Sequence, residues 1–560
     1  MTHVKSLAAA EVSEAIGLGA ESLFSAQRED GVFDYGGHSL VSTLGTVGAV
    51  SALHFADPDG SADLIARGVD WLRRTQGADG GWSMVPGGPS EAGTTAVAAA
   101  TLSVVAPAEA GNEVAAGRRW MADFGGLEAI PHAEVVAWCR QFYAYAGWLD
   151  VRDMRRFPLE LALVPGLYRR LFDIRVPMVS ALALAQLRHK PISRFHRALA
   201  KAAAPKALTA IRQVYEHEGS TGGWCEDAWV TGLICAGLAR GDQGRDMVDG
   251  AVRWFRGTVT EDGAWSSGPL DLTWSMYAAG GLVAAGYADD PRLGSTKELF
   301  LRLQQNVPFL SFGCPPGFWG WSGTRGWPAS LETGEIVSVL RHLPGNDQDD
   351  AVRRGVSWLT LQQDSRGSWG LCVRNTKVAN SGPCPHMTVQ ALDALLDAGV
   401  PPEDPRIGKA LRWLEGVQNT DGSFGSVWYR MHTSGTAAVL RTLARAGRAE
   451  GTPARRARAW LESARLADGS WGDGTPGGPG TVEETAWAVD ALLTAGAAHD
   501  SPAVAEGVRS LLAARTGPTG GWPAAPVNEY VRFVSRYTNP ALAHGLALRA
   551  LAGYRERAGR

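Results

Sequence analysis

QDSRGSW, from Gln363 to Trp369, recurs along the chain with its spacing kept. QNTDGSF begins at Gln418, RLADGSW at Arg465 and TGPTGGW at Thr516. Earlier copies are QREDGVF at Gln27, QGADGGW at Gln76, EGSTGGW at Glu218 and TEDGAW ending at Trp265. The consensus is Q-x-x-x-G-x-W/F, and its last four aromatic positions (369, 424, 471 and 522) lie about fifty residues apart. A period of that length marks a stacked repeat architecture.

The flanks of each copy define the repeating unit. Before it comes an amphipathic stretch such as IGKALRWLEGVQ, and after it a small-residue stretch such as EETAWAVDALLTAG. Apolar residues recur at helical spacing in both. The D-G-x-W segment reads as a turn, where glycine supplies positive φ and the aromatic packs back. Each unit is then helix, turn, helix, and such pairs stack as a solenoid or close into a barrel of inner and outer helices. The Gln and Trp of the motif are expected to serve the architecture, with Gln satisfying helix-end backbone groups and Trp covering the turn. The fold class is therefore all-α, with two α/α-barrel domains. The expected division is 15–285 and 286–556, with an irregular insert near 120–215.

Composition narrows the function. The chain has 560 residues, 21 Trp, 69 Gly and a formal charge of only −3. Without a basic block, nucleic acid is excluded as a partner. The six cysteines follow no framework spacing, which suits free thiols in a reducing compartment. RFPLELALVPGLYRRLFDIRVPMVSALALAQL is apolar but broken by Pro158, Pro165, Pro177 and charges, so it does not read as a membrane span. The expected location is cytoplasmic, with peripheral membrane contact and a homodimer both left open. Cys372, Cys384 and His386 lack a strong zinc spacing, and no phosphate-cradling glycine loop is present. No metal site is expected.

These repeats and the loops between them resemble the class II terpenoid cyclase family, of the squalene-hopene and bacterial class II diterpene cyclase type. QGADGGWSMVPGGPSEAGTTAVAAATL resembles an N-terminal repeat of that family, and VQNTDGSFGSVWYRMHTSGTAAVLRTL a C-terminal one. The resemblance implies two α-barrels with a substrate cavity, and an acid that protonates an alkene or epoxide from a D-x-D-D motif. Here that motif falls on Ala329, Ser330, Leu331 and Glu332. Leu331 stands at the acid, and only Glu332 keeps a carboxylate. Against the Asp-Cys-Thr-Ala-Glu pattern of the epoxide-using branch, Thr333 is kept and Glu335 takes the final position. The histidine that the hopene branch sets against its acid aligns with Gln390, one turn after His386.

The catalytic candidates are therefore Glu332, Glu335 and Asp271, with Glu226 and Asp227 as further carboxylates. Ser330 or Thr333 capping the helix, with first-turn acids complementing its dipole, is the competing structural role for the two glutamates. The expected substrate-binding wall is aromatic: Trp319, Trp321, Trp327, Trp428, Tyr429, Phe533 and Tyr537. Each ring face stabilises a passing cation by roughly 0.5 to 2 kcal/mol. A diphosphate substrate would need cations such as Arg374 with Lys377, Arg430 with His432, or Arg532 with Arg536, and Mg2+ would enter only in that case. The resemblance implies an isoprenoid small-molecule partner, no cofactor, and carbocation cyclisation or rearrangement of a squalene-type or prenyl diphosphate substrate with non-standard initiation. A non-catalytic isoprenoid-binding relative and a helical-repeat interaction protein are the alternatives.

Overall fold

The computed structural model describes residues 9–35, 39–322, 326–378, 380–516, 520–532 and 535–559. Almost all regular structure is helical, beside two small two-stranded sheets. Six inner helices form a closed ring: Asp271–Ala284, Ser330–His342, Pro385–Asp397, Thr433–Arg445, Val482–Thr494 and Pro540–Ala558. Each packs on the next, and the last returns to the first. The closure is tight, because a Cβ on Gly281 would lie 2.3 Å from the Gly545 Cα. Outer helices Leu293–Leu303, Asp349–Gln362, Pro405–Val417, Thr452–Ala464 and Pro502–Ala513 each cover an inner partner. The sixth outer position is filled by the N-terminal helix, Ala9–Ser25, against Pro540–Ala558.

The remaining helices form a second body. Inner helices Ala133–Tyr145, Ala92–Val105, Thr43–Ala56, Ala228–Gly241 and Val176–His189 pack in that order as an arc. Ala62–Arg74, Gly111–Phe124, Arg194–His217 and Arg245–Thr258 lie outside it. The chain thus starts in the closed ring, leaves to build the arc, and returns at Asp271. A division at 285/286 differs from this packing, since Ala9–Ser25 and Asp271–Ala284 both belong to the closed ring. The segment 120–215 is largely helical, and Pro165 and Pro177 sit in the first turns of helices, where a missing N–H costs nothing.

Hydrogen bonds explain the repeat motif. The indole N–H of Trp82, Trp265, Trp369 and Trp471 donates to the carbonyl ten residues earlier: Leu72, Phe255, Leu359 and Leu461, at 2.7–2.8 Å. Each acceptor lies in the last turn of an outer helix, where carbonyls have no intrahelical partner. The Gln reaches across repeats. Gln363 Nε2 donates to Gly367 O and to Arg406 O at the start of the next outer helix, both at 2.9 Å. Gln418 does the same to Gly422 and Pro453. Gly367 has φ 105°, and a Cβ there would stand 2.6 Å from the Lys409 carbonyl, so the turn admits glycine alone.

Trp369→Phe keeps a six-membered ring but removes the indole N–H, and with it the five-membered ring, so the buried Leu359 carbonyl is stranded. The expected cost is about 1–3 kcal/mol, read as a lower urea midpoint at unchanged slope. An unchanged midpoint would remove the capping account of the motif.

Candidate active site

Between the closed ring and the arc lies a cavity enclosing about 1090 Å³ of space, open solvent at its mouth included. The arc contributes Trp138, Met178, Asp227 and Trp229, and the ring contributes Thr273, Leu331, Glu332, Trp428 and Tyr429. The hairpin Asn528–Val531/Ser535–Tyr537 adds Tyr530 and Tyr537. This hairpin joins the two bodies, because Tyr530 Oη donates to Asp227 Oδ2 at 2.7 Å and Arg536 N donates to Glu91 Oε1 at 2.9 Å.

Glu332 sits in the first turn of Ser330–His342, on the cavity wall and only 4% exposed. Its Oε1 accepts the Thr273 hydroxyl at 2.7 Å, while Oε2 has no partner among the described residues. Burial raises its pKa to about 7 from an ordinary value near 4.5. Leu331, where the acid was expected by resemblance, lines the same cavity with an apolar side chain. Thr333 has a structural role, because its hydroxyl accepts the Trp319 N–H at 3.0 Å. Equivalent contacts recur at Thr95 for Trp82, Thr388 for Trp369 and Thr485 for Trp471. The position of Thr333 therefore fixes the register of Glu332 on the inner helix.

The other expected residues separate. Glu335 accepts from Arg549 Nη2 at 3.1 Å and lies outside the cavity lining. Asp271 starts its helix half-buried and does not line the cavity; the pKa of Glu226 is raised by burial and, second, by the Asp271 charge. Trp321, Trp327, Trp428, Tyr429 and Tyr537 do line it. Trp319 does not: it is fully buried with its indole donating to the Phe300 carbonyl. That carbonyl lies in the last turn of Leu293–Leu303, so Trp319 is one more repeat tryptophan. Its partner is Gln304, bonded to Gly317 O and Ala351 O. The inserted loop between Gln304 and Gly317 hid the motif. Phe533 lies outside the described residues. Arg430 is absorbed by a buried pair with Glu484 at 2.6 Å.

Glu134, Arg175 and Glu218 were not singled out in the sequence, whereas Asp227 was. Asp227 caps Ala228–Gly241, its Oδ1 accepting from Trp229 N and Val230 N, and burial raises its pKa to about 6. Glu134 and Arg175 form an ion pair at the wall. Trp327 donates its indole N–H to Glu218, whose pKa burial raises to about 8. Behind Glu332, the Tyr277 and Tyr429 hydroxyls are hydrogen-bonded. His386 packs on Tyr429 with ring centroids 4.6 Å apart, and burial lowers its pKa to about 3. It is neutral in any working range of pH. The arrangement is an apolar aromatic chamber with a carboxyl group that keeps its proton close to neutrality.

Comparison with known proteins places the chain among terpene cyclases. Residues 16–174 match the model of the squalene-hopene cyclase N-terminal domain, and residues 377–555 that of the C-terminal domain. The chain is 24% identical over 539 residues to squalene–hopene cyclase from Alicyclobacillus acidocaldarius, covering 81% of this chain and 83% of that one. It is 24% identical over 623 residues to a terpene cyclase-glycosyl transferase fusion protein of Humicola fuscoatra, covering 87% of this chain and 45% of the relative. The chain thus spans under half of that relative's length. It is 41% identical over 85 residues to labda-7,13-dienyl diphosphate synthase of Streptomyces clavuligerus, 15% of each chain. Among solved structures, ent-copalyl diphosphate synthase from Streptomyces platensis aligns with TM-score 0.53 and 18% identity, over 97% of this chain and all of that one. That likeness concerns the fold. Among the described residues, no helix is long and apolar enough to cross a membrane.

The raised pKa of Glu332 sets a sign for stability. Folded, it holds its proton up to about pH 7; unfolded, it releases it near 4.5. Stability therefore falls as pH rises from about 4.5 through 7, by up to about 3 kcal/mol for this group. Glu91 and Glu218, both raised to about 8 by burial, act in the same direction. Glu332→Gln should gain on wild type across that window in urea titrations at stepped pH. A variant whose stability tracks wild type at every pH would show Glu332 ionised in the fold.

Proposed function

This chain belongs to the squalene-hopene cyclase family of class II terpene cyclases, and from that premise we propose that it cyclises a linear isoprenoid with Glu332 as the proton donor. The single observation behind this reading is the buried Glu332 carboxyl on the cavity wall, with one oxygen held by Thr273 and the other without a partner among the described residues. The substrate class is a squalene-type triterpene or a prenyl diphosphate. The folded chain lies along the aromatic chamber, where Trp327, Trp428, Tyr429 and Tyr537 offer ring faces to the migrating cation.

The residues support distinct parts of that chemistry. Thr273 holds one oxygen of the carboxyl and leaves the other to carry the proton at the cavity wall. The Leu331 side chain keeps water from the same spot and supplies no charge. A lone carboxyl with a pKa near 7 is a weak acid for a bare alkene, so an epoxide or another basic end group suits it best. After ring closure, the Glu332 carboxylate is placed to take a proton back. No cofactor is part of this proposal, and Mg2+ would enter only with a diphosphate substrate. Leu331 at the family's acid position favours one competing reading, a relative that binds an isoprenoid without turning it over.

The experiment is a product assay with oxidosqualene, squalene, and farnesyl and geranylgeranyl diphosphates, extracts being analysed by mass spectrometry. Wild type should give a cyclic isomer of one of them, with a rate that falls as pH rises above about 7 because the neutral acid is lost. Glu332→Gln should lower that rate by about 100-fold or more, while Glu335→Gln, outside the chamber, keeps turnover. Saturable binding with no isomer from any substrate would support the binding relative instead.

A further inference from the structure

A second feature lies against the cavity wall and is not used by the chemistry above. Two segments build that wall together. Lys377 N donates to Arg170 O at 2.7 Å, and Val373 N donates to Asp173 Oδ1 at 3.2 Å. Ile174, Arg175, Leu371 and Asn380 from these segments line the cavity. Arg170, Asn375, Thr376 and Lys377 from the same segments line a separate polar groove. Arg366 and Trp413 complete it, and it continues past Arg170 and Asn375 to Arg374.

The charge of this groove is out of balance. Arg170, Arg366, Arg374 and Lys377 are all exposed, and Asp364 is the one acidic side chain among its lining residues. Among the described residues, the side chains of Arg170, Arg366 and Lys377 make no ion pair or hydrogen bond, whereas Arg441 and Arg445 on an inner helix are each paired to aspartates. The cationic loop is also held in place. Asn375 has φ 57°, its N–H donates to Asp364, and its Oδ1 accepts from Ser365 N at 2.8 Å. A non-glycine residue in that conformation needs such support. Cations crowded on one face repel one another until an anion joins them, and arginine recognises phosphate by paired N–H donors. Among the described residues, Arg175 is the one Arg or Lys that lines the cavity, and it is already paired with Glu134.

We propose that this groove binds the phosphate-bearing end of a ligand. Two sources share that chemistry: a soluble diphosphate, as on a prenyl substrate, and the headgroup of an anionic phospholipid. The inference rests on the groove alone and does not depend on Glu332 chemistry.

The test uses the full chain and two probes. Inorganic pyrophosphate is titrated by calorimetry, and vesicles of phosphatidylglycerol or phosphatidylcholine are used in cosedimentation. A soluble diphosphate source predicts saturable pyrophosphate binding, weakened about tenfold or more in Arg170→Gln/Lys377→Gln and preserved in Glu332→Gln. A lipid source predicts capture by phosphatidylglycerol vesicles and not by phosphatidylcholine, lost in the same double variant. Both side chains are exposed, and matching thermal melts establish that the variant is folded. Absence of binding to both probes, or binding that the double variant leaves unchanged, would overturn the assignment.

Discussion

Every outer helix of the repeats ends in carbonyls that its own hydrogen bonds cannot satisfy. In four repeats a tryptophan indole from the following turn takes one of them with the same ten-residue spacing, at Leu72, Phe255, Leu359 and Leu461, whereas Phe33 and Phe424 fill the aromatic place without a donor. The turn must bend sharply for the ring to return, which is why glycine precedes it at positive φ, held against the carbonyl of the neighbouring outer helix. The Gln then ties that neighbour to the same turn. One local constraint thus sets helix length, turn shape and the spacing between repeats.

The constraint reaches the site through the inner helices. A backbone N–H at the repeat aromatic meets a threonine hydroxyl in the first turn of the inner helix, and at Trp319 that threonine is Thr333. Its neighbour Glu332 is then fixed on the wall of the cavity, beside Thr273 of the adjacent inner helix. The arc across the cavity supplies Asp227, which caps its own helix and accepts from Tyr530 of the closing hairpin. Position comes from the repeat: Glu484 holds the matching place before Thr485 and is paired with Arg430, whereas Glu332 keeps one oxygen without a partner among the described residues.

Repeat periodicity made the helical pairs legible in the sequence, because Gln363, Gly367 and Trp369 each satisfy a local need. Which pairs become neighbours was not legible. Ala9–Ser25 fills the sixth outer position against Pro540–Ala558 from the other end of the chain, and no local signal marks that contact. Trp319 was read as a wall residue because thirteen positions separate Gln304 from Gly317 where the motif elsewhere has four. Glu332 and the tryptophans Trp321, Trp327 and Trp428 were legible from their place beside the degenerate acid motif. Trp138, Met178 and Trp229 were not, since the cavity gathers them from a body whose orientation only tertiary packing decides.

The central claim is that Glu332 carries its proton in the folded protein near neutral pH. Infrared difference spectra of wild type against Glu332→Gln, recorded as pH is raised, isolate the carboxyl band of that one residue. The account predicts a protonated carboxyl signal that persists to a midpoint of about 7. A midpoint at or below the ordinary value near 4.5 would mean an ionised glutamate, and the assignment of the proton donor would fail.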